Sequence, residues 1–101
     1  MARVDTLIVV VPGARLQGDC ALEYLRELDS VSARHLVLEL REVRDELLPR
    51  VAAFVKYLGA NRSVRVCGLA ATQLSLLSAL GLQSDLLRVG PWRQAGRRSL
   101  I

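Results

Sequence analysis

Aromatic residues are scarce in this chain. Tyr24, Phe54, Tyr57 and Trp92 make up 4% of its 101 residues, although 51% are hydrophobic. The core must therefore be aliphatic, built from Leu, Val and Ala, and the chain shows no basic stripe with interleaved aromatics of the kind that binds nucleic acid. Long apolar runs are missing too. The longest, Leu7 to Val11, is strand-sized, far short of the roughly 20 residues a membrane-spanning helix needs. Met1 to Asp5 lacks the charged start and apolar stretch of a signal peptide, which makes the cytoplasm the expected location. There are two cysteines, Cys20 and Cys67, with no other ligand type at metal spacing, so both are expected as reduced, small packing residues. With a single histidine, His35, and no base near it in sequence, a Cys–His nucleophile finds no support.

Glycines in a phosphate-binding pattern are also absent: positions 13, 18, 59, 68, 81, 90 and 96 stand alone, as turn and cap residues do. The formal net charge of +4 comes mostly from the end of the chain. Three of the 14 basic residues, Arg93, Arg97 and Arg98, follow Trp92, leaving 11 basic against 10 acidic residues before them. Three charges are too few for firm binding of RNA or an acidic lipid surface, so residues 91–101 are expected as a flexible, solubilising tail. The rest, residues 1–90, suits one domain with one core.

Within that domain the hydrophobic pattern alternates in period. Thr6 to Val11 is a β-branched strand closed by Pro12-Gly13. Asp19 is the expected N-cap of a helix through Leu28, with Ala21, Leu22, Leu25 and Leu28 on its apolar face. A buried strand from His35 follows, then a charged turn, then a helix begun by Pro49 and ended by Gly59 in the left-handed conformation. Leu48 falls at that helix's N-cap, where its side chain can accept no bond from the first turn. Ser63 to Cys67 is a third strand, nearer an edge, about Ala70 to Leu80 a third helix, and Leu86 to Val89 a short last strand. The order implies an α/β fold with a mostly parallel sheet of four to five strands and helices packed on it.

Glu42, Asp45 and Glu46 cluster at the end of the central strand, where α/β proteins often place sites. Arg41, Arg44 and Arg50 interleave with them, which suits a solvated loop or a partner-binding surface better than a cation site or an acid–base pair. Ser63, Thr72, Ser75 and Ser78 belong to no nucleophile motif. No cofactor or metal is implied and no catalytic set is assembled.

Several strings, in order, resemble the STAS domain of bacterial anti-sigma factor antagonists and sulfate transporters. Gly13 to Leu16 is similar to that family's Gly-x-Leu turn, one residue longer; Leu36 to Val43 is similar to its Val-Val-Leu-Asp-Leu-Ser-x-Val strand; Val66 to Leu69, with Leu77 to Leu82 closing the next helix, is similar to its third strand and Leu-x-x-x-Gly-Leu. The likeness runs from about Leu7 to Val89. The family's diagnostic Asp-Ser-Ser-Gly-Leu falls on Leu47, Leu48, Pro49, Arg50 and Val51, and only the last is chemically similar. In antagonists the first serine caps the second helix and is phosphorylated, which adds about 2 negative charges at a helix N-terminus. Leu48 can accept neither phosphate nor cap bond. The family's short strand before the first long one is also missing, which leaves an edge free to pair.

The resemblance implies a non-catalytic, signalling-type interaction domain that binds a protein partner through Asp45, Glu46, Leu47, Leu48, Pro49 and Arg50. The partner would be an anti-sigma factor or kinase-like protein, a scaffold subunit or a second copy, and the contact would be constitutive. Leu47 and Leu48 either face solvent as contacts or turn inward and pack. The alternative is a regulatory domain that binds a nucleotide or other anion through Arg44 or Arg50 and convergent N–H groups.

Overall fold

The computed structural model describes residues 6–82, together with the backbone of 87–89 and 97–99. Three strands form the body of a parallel sheet: β1 (Thr6–Val10), β2 (His35–Glu39) and β3 (Ser63–Leu69). β2 lies between the other two, with Ile8 opposite Val37 and Val37 opposite Arg65. Leu87–Val89 and Arg97–Ser99 add three-residue parallel pairings, the first beside β3 and the second beside β1. The established sheet is therefore a three-stranded parallel body, coarser than the four to five strands expected. Of residues 91–101, Arg97–Ser99 lies along the β1 edge; the rest falls outside the described residues.

Between the strands run α1 (Cys20–Asp29), α2 (Leu48–Leu58) and, after β3, α3 (Ala71–Ala79). Because β1, β2 and β3 are neighbours in sequence order, right-handed crossovers put α1 and α2 on one face of the sheet. The core records this. Val9, Val11, Leu36, Leu38, Leu40, Val64 and Val66 meet Tyr24, Leu28, Val51, Val55, Leu58 and Leu77 in one cluster, while Ile8, Val37 and Cys67 form a small cluster on the opposite face. Alternation along each strand divides the two sets. Burying each large aliphatic side chain is worth about 1.5–3 kcal/mol, so the helical face dominates stability.

Several helix ends depart from expectation. Asp19 has helical dihedrals and makes no side-chain cap bond; the chain enters α1 through Gly18 at φ +55° instead. Gly59 is also right-handed, at φ −71°, because the end of α2 unwinds through shorter turns in which the Ala60 N–H donates to the Tyr57 carbonyl. Gly81 does take the left-handed form at the end of α3, at φ +100°. β3 runs two residues beyond Cys67, through Gly68 at φ +84°, and this shift in register turns Leu69 into the helical core. Of the two free cysteines only Cys67 is buried; Cys20 is exposed at the start of α1, so the packing role fits one of them.

Candidate interaction site at the ends of the strands

The loops after β1 and β2 are held together by backbone. The Val11 N–H donates to the Glu39 carbonyl at 3.0 Å, and the Leu40 N–H donates to that of Cys67 at 2.9 Å, so both segments are extensions of the sheet. The chain then turns, with the Val43 N–H on the Leu40 carbonyl and Val43 itself in the core. Gly13 presses against this turn. A Cβ there would lie 2.6 Å from the Glu42 carbonyl oxygen, a contact that only glycine permits without movement of the backbone.

Gly13–Leu16 forms a short 3-10 helix whose Leu16 is buried. Arg50, at the start of α2, ties its exit in place: Nη1 donates to the carbonyls of Leu16 at 3.1 Å and Gly18 at 3.0 Å. Across the other side of the loop, Gln73 Nε2 donates to Asp45 Oδ1 at 2.7 Å while Gln73 Oε1 accepts from the Ala70 N–H at 3.0 Å. Asp45 is thereby committed to the start of α3. Arg44 and Glu46 are left to project, their side chains 80% and 69% exposed and 3.9 Å apart, a separation at which an exposed ion pair contributes little.

The six residues singled out by the resemblance divide sharply. Asp45, Glu46, Pro49 and Arg50 are exposed, Leu47 is half-buried against the core, and Leu48 is buried at 1% exposure. Leu48 therefore offers no contact surface. The two leucines turn inward, because a 3-10 turn over Asp45–Leu47 runs directly into α2 and swings the apolar side of that junction onto the sheet. The same turn answers the question of the cap. Leu48 is the first helical residue and not the N-cap; its N–H donates to the Asp45 carbonyl, and Pro49 follows where no N–H is required.

Glu39 was missed as a residue of interest by the sequence reading, which placed it in an apolar strand. It is 2% exposed on the sheet face away from the helices, with Oε1 3.4 Å from Nε of Arg41 and its Cγ against Gly68. The alternation of β2, which sets Leu38 and Leu40 on the helical face and Val37 and Glu39 on the other, was the signal available for it. His35 is exposed at the opposite end of β2. Among the described residues no group of His, Cys, Asp and Glu could hold a metal ion.

Two described cavities lie away from this loop. A polar one surrounds Arg34 and Arg62 at the beginnings of β2 and β3, and an apolar groove of about 500 Å³ runs between α1 and α2, touching the site only at Arg50. Arg44, the other basic residue proposed for anion binding, lines neither. No described helix is long and apolar enough to cross a membrane. Comparison with protein-family models, with curated proteins and with solved structures finds no match for the chain.

Proposed function

We propose that this chain is a non-catalytic, STAS-like interaction domain, with a sheet completed to four or five strands, that binds a protein partner constitutively through the loop leading into α2. The observation that carries this reading is the contrast within that loop. Gly13 packs against its backbone at Glu42, Gln73 holds the Asp45 carboxylate and Arg50 ties down the neighbouring loop after β1, while Arg44 and Glu46 project from it with little to hold them. A rigid frame presenting uncommitted charges suits recognition, since little ordering entropy is lost on binding. Leu48 stands where the family's switch has its serine, and a buried aliphatic side chain there leaves nothing to phosphorylate. The partner would be an anti-sigma factor-like or kinase-like protein or a scaffold subunit, met in the cytoplasm.

The test is capture from native cytosol by the immobilised chain, beside the double variant Arg44→Glu, Glu46→Arg. The expected result is a defined partner whose affinity falls at least about ten-fold, roughly 1.4 kcal/mol, in the variant. Equal capture by both proteins overturns the assignment of this loop. Thermal stabilisation by a nucleotide, abolished in Arg44→Glu, would replace it with the anion-binding alternative.

A further inference from the structure

The groove between α1 and α2 carries an apolar surface that the loop reading does not use. Its walls are Leu22 and Leu25 on α1 and Ala53 and Phe54 on α2. Leu22 is 56% exposed on one rim, and Tyr57, one helical turn beyond Ala53, is 56% exposed on the other. Large apolar side chains exposed together along a groove mark a contact more often than one alone does.

Two charged residues line the groove, Asp19 just before α1 and Arg50 near the start of α2. Asp19 makes no ion pair or side-chain hydrogen bond with any described residue. Arg50 uses Nη1 alone for the Leu16 and Gly18 carbonyls, which leaves Nη2 and Nε to donate elsewhere. Both helices return between parallel strands and so run in the same direction. The Arg50–Gly18 bond sets their beginnings side by side, with Leu22 and Ala53 a turn further on at matching height.

We infer that this groove is the interface of a two-fold homodimer, its axis parallel to the two helices, with α1 of each copy laid against α2 of the other. That operation brings Asp19 to the partner's Arg50 and Leu22 to the partner's Ala53 and Phe54, and repeats both contacts on the other side. An isologous contact needs each patch to hold both halves of every interaction at heights the axis can match. This groove does: a projecting leucine and a hollow beside it, an unpaired carboxylate and a guanidinium with idle donors. A foreign partner would require no such internal match. The interface is separate from Arg44 and Glu46, and the inference stands whether or not the loop reading does.

Analytical ultracentrifugation of the full chain from 5 to about 500 µM tests it, a range that brackets weak homodimers. The expected result is a mass rising to twice 11.1 kDa for the wild type and for Arg44→Glu, Glu46→Arg. Leu22→Asp and Ala53→Glu, both at exposed positions, are expected to stay at the single-chain mass with unchanged circular dichroism, and Asp19→Lys to raise the dissociation constant at least about ten-fold. A wild type that stays monomeric throughout, or a dimer that survives both Leu22→Asp and Ala53→Glu, overturns the proposal; in the first case the groove belongs to a different occupant.

Discussion

Individual residues in this chain act mainly through backbone they approach or cap. Gly13 is the clearest case, because the loop after β1 reaches the loop after β2 only if position 13 has no side chain. Gly13→Ala is expected to cost about 1–3 kcal/mol, read as a lower urea midpoint, with the carbonyl of Glu42 forced to move. Arg62 performs a related task at the other end of the sheet, donating to the carbonyls of Leu28, Val31 and Asp29 and so closing the end of α1. Tyr24 is different. It is fully buried beneath the Arg15 guanidinium, 4.8 Å from the ring centroid, and its hydroxyl has no hydrogen-bond partner among the described residues. Burial pushes its phenol up to about 12, with Arg15 opposing and Glu27 adding to the rise. The folded state thus holds this proton more tightly than the unfolded chain, whose phenol titrates near 10; the contribution is whole below pH ~10 and is lost as pH climbs towards ~12. Tyr24→Phe is expected to leave neutral-pH stability nearly unchanged or slightly raised, and to flatten the alkaline fall in urea midpoint between those limits.

Among the elements, the junction of the 3-10 turn with α2 is the most informative. A leucine at a helix start breaks the capping preference, yet the start of α2 is eased without a side-chain cap, because the preceding turn supplies a carbonyl for the Leu48 N–H and proline removes one donor. A serine at this place would therefore not help the helix. Leu48→Ser is expected to cost about 3–5 kcal/mol in chemical denaturation, since it opens a cavity beneath α2 and buries a hydroxyl. A gain in stability would mean that position 48 is a solvent-facing N-cap after all. Between α2 and α3 the contact is partly polar. Lys56 Nζ donates to the Leu80 carbonyl at 2.8 Å, satisfying the exposed end of α3 beside Gly81. Lys56→Met, which keeps the aliphatic stem, is expected to lower stability by about 0.5–1.5 kcal/mol and to quicken hydrogen exchange at the end of α3 before that of β2.

On the scale of the whole molecule, one sheet face takes the three described α-helices and nearly all of the described core, and the other holds a small cluster around Cys67. The two thiols then report on different events. In the native protein a thiol reagent is expected to label Cys20 within seconds to minutes and Cys67 only at the rate of global or near-global opening; prompt labelling of both would show that the small cluster is open to solvent. Much of this architecture was legible beforehand. The continuous β-branched run of Thr6 to Val11, the apolar strand after His35 and the 3.6-period stripe of Val51, Val55 and Leu58 located β1, β2 and α2, because burial favours those residue types and spacings wherever a chain forms a core. What local sequence could not hold is any property created by a neighbour distant in the chain. Asp19 and Gly59 carry good cap signatures and behave otherwise, since left-handed Gly18 and the turns after α2 already meet the needs of those helix ends. The inward turn of Leu48, the commitment of Asp45 to Gln73 and of Arg50 to the Leu16 and Gly18 carbonyls, and the placing of Asp19 and Arg50 along one apolar groove all join residues 28 to 34 positions apart or rest on the packing of α2 against the sheet. The sequence by itself determined the periodicities, and through them the elements and their α/β order. Only the tertiary structure decided which charges hold loops and which project into solvent, because that depends on the carbonyls and amides that folding brings within reach.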